Sequence, residues 1–266
     1  MRVCVLGYSG FLGSNLASYL KKKKVKVVKV DLRRFFFLTN NYKDKILKFI
    51  LRSDVVINCA SALKPKNKSD YFLNETFPEL IVNKNLDYNK RIIHISTINV
   101  LIKDRQDLYS ISKKIGEKKI INKKNTTIIR IPLLFKKNNK HEYIPEGNLK
   151  KLFNYLDLNY FPVYPMLYPG HKYNPLNIKD LLYFLEKKIF SKKVNKIYNL
   201  QGNEMLNTCD IFYNIAKQKK KAVFKIKINL NKKYVPKFVK NFLKKRNNFL
   251  QQLFSINHSK KIFYKI

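Results

Sequence analysis

The tyrosine and lysine of "YSISK", Tyr109 and Lys113, stand four residues apart, so on a helix they share one face. There an ammonium lowers a phenol's pKa from its ordinary value of about 10 and makes it a general acid or base near neutrality. In a chain this rich in lysine such pairs recur by chance, so position has to carry the argument. The pair opens a helical segment directly after "HISTINV", whose Ser96 and Thr97 stand at the carboxyl end of an apolar strand pattern. Ligands of α/β sheets bind at such ends.

A second group sits near the start of the chain, in "VCVLGYSGFLGSNLASYL". Gly7, Gly10 and Gly13 give G-x-x-G-x-x-G, which suits a dinucleotide. Gly7 permits a tight turn, Gly10 lets a pyrophosphate approach the backbone, and Gly13 lets a helix pack on a strand. The free amides at the helix N-terminus, around Phe11 and Leu12, then face the phosphates. Asp31 closes the next strand and is placed to accept hydrogen bonds from the adenosine ribose, which favours NAD. Arg33 and Arg34 pull the other way, since either could pair with the 2′-phosphate of NADP.

These residues need a scaffold, and the periodicity supplies one. "RVCVLG" reads as a buried parallel strand, and apolar residues then recur at helical spacing from Phe11 to about residue 22. "VKVVKVD" at 25–31, "DVVINCA" at 54–60, "RIIHIST" at 91–97 and "TTIIRIP" at 126–132 read as further strands. Helices are expected at about 42–52, 72–87 and 109–122. Strands alternating with helices imply an α/β fold, a Rossmann-type doubly wound parallel sheet with a small C-terminal substrate lobe. The expected division is a dinucleotide-binding core over 1–135 and mostly substrate lobe over 136–266. Elements at about 178–200, a helix at 178–190 and a strand "KIYNL" at 196–200, return to the core. Loops are expected over 136–176, and helices at about 207–217 and 235–253. The aromatic run "FFF" at 35–37 is expected to pack under the adenine side.

The chain has 266 residues, 45% of them hydrophobic, enough for a sizeable core. No apolar run reaches about 18 residues, so the expectation is a soluble, cytoplasmic protein without membrane attachment. Against 56 Lys and Arg stand 17 Asp and Glu, a net charge of +39. The lysines are spread through every segment rather than gathered in a stripe, so a specific nucleic-acid partner is not expected. Cys4, Cys59 and Cys209 are far apart and odd in number, which suggests buried free thiols. His94, His141, His171 and His258 have no metal-ligand spacing, and His94, inside a strand, reads as a core residue.

"GYSGFLG", Asp31, "DVVINCAS", "HISTINV", "YSISKKIGE" and "IIRIP" follow the order and spacing of the extended short-chain dehydrogenase/reductases. The chain resembles their nucleotide-sugar epimerase, dehydratase and reductase branch, well over about residues 1–132. The likeness continues weakly through "NPLNIKDLLYFLEK" and "NKIYNLQGNE". It implies that Tyr109 exchanges a proton at a sugar carbonyl or hydroxyl, while Lys113 holds the nicotinamide ribose and depresses the tyrosine pKa. It gives Thr97 the hydrogen bond to the reacting oxygen, with Ser96 as fallback. Ala60 and Ser61 match the small residues that let the cofactor cross the third strand, and Asn74 matches a position of mainly structural use. A homodimer and a place in cell-surface polysaccharide or deoxysugar biosynthesis are implied likewise.

The sequence departs from the branch in places. Only twelve positions separate Thr97 from Tyr109, where most sugar epimerases and dehydratases carry a longer loop. That short loop and "INCA" are similar to the reductases of 4-keto sugar nucleotides, and "TINV" lacks the acidic pair common in dehydratases. The expected function is therefore NAD(P)-dependent oxidoreduction or epimerisation of a nucleotide-activated sugar, with 4-keto reduction ahead. The lysines between 136 and 179 are candidates for its diphosphate. The alternative is a non-catalytic nucleotide- or RNA-binding protein on the same fold. Retention of Thr97, Tyr109 and Lys113 argues for the enzyme.

Overall fold

The computed structural model describes residues 1–32, 42–85, 88–102, 105, 107–158, 163–168, 172–191, 194, 196–227 and 264–265. The chain runs β1 (Arg2–Leu6), α1 (Phe11–Lys22), β2 (Lys26–Val30), α2 (Tyr42–Leu51) and β3 (Val55–Asn58). A helical stretch follows, made of α3 (Lys68–Tyr71), a π turn (Phe72–Thr76) and α4 (Phe77–Asn85). Next come β4 (Arg91–Thr97), a 3₁₀ turn (Ile98–Leu101), α5 (Leu108–Ile120), β5 (Thr126–Ile131) and β6 (Leu134–Phe135). Then follow α6 (Lys150–Leu158), β7 (Val163–Tyr168), β8 (Lys172–Tyr173), β9 (Leu176–Asn177), α7 (Ile178–Phe190) and β10 (Ile197–Gln201). β11 (Leu206–Asn207), α8 (Thr208–Gln218), β12 (Ala222–Lys227) and β13 (Tyr264–Lys265) complete the described chain.

One parallel sheet, in the order β13-β10-β5-β4-β3-β1-β2, organises the molecule. Alternation along β1 shows how its two faces are filled. Val3 and Val5 pack with Leu16 and Leu20 of α1 and with Leu181, Leu185 and Ile189 of α7. Cys4 and Leu6 point the other way, into Ile46 and Ile50 of α2, Phe77 and Ile81 of α4, and Ile120 of α5. Strands covered on both sides must be apolar throughout, and β3 is buried at every position. The fold is thus the doubly wound α/β class.

Local signals set the helix boundaries. α1 buries Gly13, Leu16, Ala17 and Leu20 on one stripe and ends in Lys21 and Lys22, which suit the negative end of its dipole. The side chain of Asp107 accepts the Ser110 N–H at the start of α5. Asn207 and Asp210 form a reciprocal capping box on α8.

The helix expected over 72–87 begins earlier, at Lys68 behind an Asn67 cap, and carries the π turn. The loops expected over 136–176 contain α6 and short strands instead. Leu149, Phe153 and Leu156 recur at helical spacing and bury against Ile211, Phe212 and Ile215 of α8. The abundant Asn, Lys and Tyr around them masked that apolar stripe. Cys4 and Cys209 are buried thiols, whereas Cys59 is partly exposed. Arg33, Arg34, the aromatics at 35–37 and the helix expected at 235–253 lie outside the described residues. Among the described residues no helix is long and apolar enough to cross a membrane.

Candidate active site

β1 lies between β2 and β3, so the chain leaves it for one neighbour and then crosses to the other. That reversal opens a crevice at the carboxyl ends of β1 and β3, where doubly wound sheets bind ligands. Gly7 turns there with φ +74°, its N–H bonded to the Val30 carbonyl at 3.0 Å. A Cβ on Gly7 would lie 2.8 Å from the Ala60 backbone, and one on Gly13 2.3 Å from the Gly7 oxygen. Neither contact is tolerable, so both glycines let the turn, α1 and β3 close up on one another. At Gly10 the nearest atom to such a Cβ is the Gly7 oxygen at 3.4 Å, and this residue faces the cleft. Gly10 brings no side chain to cap α1, and the first turn holds no acid, so its backbone amides are left for an anion. The cradle therefore fits a dinucleotide pyrophosphate. Asp31 stands at the end of β2, where its Oδ1 accepts the Ser9 hydroxyl at 3.1 Å.

The cleft itself measures about 460 Å³, and Gly10, Leu12, Ser61, Thr97, Tyr109 and Lys113 are among its walls. Phe11 also lines it; Gly7, Gly13, Asp31 and Ala60 do not. Leaving Gly13 and Ala60 to packing follows from the contacts above. Thr97 Oγ1 accepts the Asn99 N–H at 3.3 Å, which leaves its own O–H free to donate. Ser96 instead donates to Glu117 Oε2 at 2.8 Å. Of the two neighbouring hydroxyls, Thr97 is the one with a proton to offer.

Tyr109, Lys113 and Glu117 recur every four residues along α5 and so form one column. Lys113 is 1% exposed; its Nζ donates to the Ile95 carbonyl at 2.9 Å and lies 3.5 Å from His94 Nε2. Burial pushes Lys113 down to about 8, against the opposing charge of Glu117. Tyr109 behaves differently from the sequence expectation. Its phenol is pushed up to about 12, mainly by burial, with a Ser61 hydrogen bond and Arg105 opposing and Asp107 adding to the rise. Four-residue spacing told which groups share a face, but burial, not the lysine four residues on, dominates the phenol's shift.

Other groups at the site take their place only in the folded chain, and Asn74, expected to be mainly structural, is one of them. Asn74, fully buried in the π turn, accepts from Ser61 Oγ and Ala62 N–H and donates to the Ala62 carbonyl and Ser112 Oγ, at 2.9–3.0 Å. It ties the loop after β3 to α5. Asn99 Oδ1 is buried without a hydrogen-bond partner, and Asn99 and Cys59 line the cleft. Among the described lining residues the cations are Lys64 and Lys113. The lysines of 136–179 marked for a diphosphate are absent from that lining: Lys136 pairs with Glu146, and Lys137 stacks over Phe135 and Tyr143. Glu117 could have been read from "YSISKKIGE" by extending the four-residue spacing one turn further.

The family model described as RmlD substrate binding domain matches residues 1–146. No curated protein sequence matches the chain. Among solved structures, a dTDP-4-dehydrorhamnose reductase from Clostridium acetobutylicum superimposes with a TM-score of 0.69 at 18% identity, over 87% of this chain and 86% of that one. The corresponding reductase from Bacillus anthracis, in complex with NADP, gives 0.67 at 16% identity, over 85% and 84%. A UDP-glucuronic acid 4-epimerase from Bacillus cereus, in complex with UDP-glucuronic acid and NAD, gives 0.62 at 18% identity, over 85% and 86%. At these identities the likeness to solved structures is one of fold.

Proposed function

The chain belongs to the RmlD substrate binding domain family, within the extended short-chain dehydrogenase/reductases, and on that premise we propose that it reduces the 4-keto group of a nucleotide-activated sugar with NAD(P)H. The observation that carries this reading is the meeting of Thr97, Tyr109 and Lys113 in the one cleft that also takes in Gly10 and Leu12 of the glycine cradle. A phenol with a pKa of about 12 keeps its proton throughout the physiological range, and a ketone becoming an alcohol needs a proton donor. Thr97 beside it offers a free O–H, and both line the cleft that opens on the glycine cradle.

When bound, the nicotinamide supplies a hydride to the carbonyl carbon. Thr97 orients the carbonyl oxygen by hydrogen bonding, and Tyr109 gives that oxygen its proton. One hydride and one proton would thus turn the C=O into CH–OH, and Lys113, one turn along the same helix, would resupply the proton to the phenolate left behind. Lys113 would also hold the nicotinamide ribose. The exposed Lys64 on the rim is the candidate partner for the substrate's diphosphate. Asp31, whose carboxylate would repel a 2′-phosphate, favours NAD over NADP. A nicotinamide cofactor and a sugar nucleotide are both consistent with a cytoplasmic enzyme.

Oxidation of NADH and NADPH on a panel of 4-keto and 4-hydroxy nucleotide sugars tests the reading. Net cofactor consumption on a 4-keto sugar is expected, more readily with NADH. Tyr109→Phe should lower turnover by roughly 10²- to 10⁴-fold with cofactor affinity little changed. Near-parent turnover in that variant would remove Tyr109 as the acid, and interconversion of 4-hydroxy sugars without net oxidation would replace reduction by epimerisation.

A further inference from the structure

Lys113 Nζ donates to the Ile95 carbonyl, and its other hydrogen-bond neighbour among the described residues is an imidazole. His94, in the middle of β4, is 1% exposed, with Nε2 3.5 Å from Lys113 Nζ and Nδ1 3.1 Å from Asn58 Nδ2. Asn58, at the end of β3, is fully buried, and its Oδ1 accepts the Ala60 N–H at 3.1 Å. That backbone bond fixes the amide, because reversing it would set two donors against each other. Asn58 therefore presents its NH₂ to His94, so Nδ1 must accept and the neutral ring carries its proton on Nε2. The N–H so formed points at Lys113. An ammonium has only donors to set against it, whereas a neutral amine has a lone pair that accepts it.

We propose that His94 is a positioning residue for the reaction above: locked by Asn58 with its proton on Nε2, it holds Lys113 toward the neutral amine and so readies it to take up and pass on a proton. This rests on the reading of Tyr109 and Lys113 as the working pair. The other groups facing Lys113 leave the effect room. Glu117, one turn along α5, favours the ammonium, but Arg130 of β5 and Ser96 of β4 engage its carboxylate. The Cys59 thiol after β3 and the Tyr109 phenol on α5 are both pushed up to about 12 and are neutral. His94 itself, held well below its usual range by burial and by Lys113, stays an uncharged ring.

The chain has four histidines, so ¹⁵N NMR of the histidine-labelled protein reads the tautomer directly, with His94 assigned by replacing His141, His171 and His258 with Gln. The Nε2–H form is expected at every pH from about 6 to 9. In Asn58→Asp the carboxylate accepts from Nδ1, and the proton should move there, leaving Nε2 to accept from the Lys113 ammonium. In His94→Gln, whose carbonyl can turn to an ammonium, the limb of the turnover profile that belongs to Lys113 should move up by about one pH unit, the equivalent of one hydrogen bond. A merely structural His94 would change the height of that profile and leave its limb in place. A parent His94 carrying its proton on Nδ1, or titrating near pH 6.5, overturns the inference whatever the activity. The expected tautomer in a protein that turns over no nucleotide sugar refutes the reaction instead, and the pH dependence of NAD(P)H binding then reads Lys113.

Discussion

Arg130 and Lys113 both bring a positive charge beneath α5, and their surroundings differ in kind. Arg130 Nε donates to Glu117 Oε1 and Oε2 at 2.9 and 3.1 Å, a terminal nitrogen pairs with the same carboxylate, and Nη1 reaches Asn199 Oδ1 at 3.2 Å. Ser96 completes the carboxylate's partners. Lys113, four residues from Glu117 on the same helix, ends on a backbone carbonyl and an imidazole. Burying a charge is costly unless partners replace water. Around Arg130 they do, and the pair welds α5 to β4, β5 and β10. Around Lys113 the compensation is incomplete, which leaves its proton easy to remove, as a proton-handling group requires.

The largest test of that contrast is Glu117→Ala. It leaves the Arg130 guanidinium, 12% exposed, without its carboxylate, so unfolding free energy in denaturant should fall by about 3–5 kcal/mol. A loss below about 1 kcal/mol would put the two cations in the same class.

A somewhat smaller effect is expected at Lys113, and its sign depends on pH. The folded pKa of about 8 lies below the ordinary 10.5, so between these values the unfolded chain binds more protons and stability rises with pH. The full difference amounts to about 3 kcal/mol, and it should be absent from Lys113→Met. The stability of the parent minus that of the variant should therefore grow between pH 8 and 10. If thermal melts show a constant gap, Lys113 is not held as described.

The smallest expected change separates the two adjacent hydroxyls. Ser96→Ala deletes one hydrogen bond to a buried carboxylate and should cost about 1.5–3 kcal/mol of stability with turnover nearly unchanged. Thr97→Val should show the reverse, with melting near that of the parent and turnover reduced. Exchange of those outcomes would assign Ser96 to the substrate and Thr97 to the frame.

The cradle was readable because its logic is local. Gly7, Gly10 and Gly13 announce a turn and a close approach by lacking side chains, and Tyr109 and Lys113 announce a shared face by four-residue spacing. The partners of Lys113 were not readable in this way. His94 looked like an ordinary core residue, and Asn58 was one letter of an apolar strand. Nothing in their positions along the chain says that β3, β4 and α5 bring them within hydrogen-bond reach of one another. The α6 stripe was missed for a related reason, since Phe153 and Leu156 acquire meaning only against Ile211 and Phe212 of α8.

By itself, then, the sequence determined what short-range rules control: the alternation of strand and helix, the glycine turn, and the shared helix face of Tyr109 and Lys113. Tertiary structure decided what depends on neighbours distant in the chain. It gave the Ser96 hydroxyl to Glu117 and the Asn99 N–H to Thr97, and it paired Arg130 with Glu117 while leaving Lys113 on a backbone carbonyl and an imidazole. It also drove the Tyr109 phenol upward where spacing alone had suggested a fall. The physical reason is common to all three. Protonation and hydrogen bonding follow from the loss of water and its replacement by particular partners, and both are properties of the packed interior rather than of the order of residues.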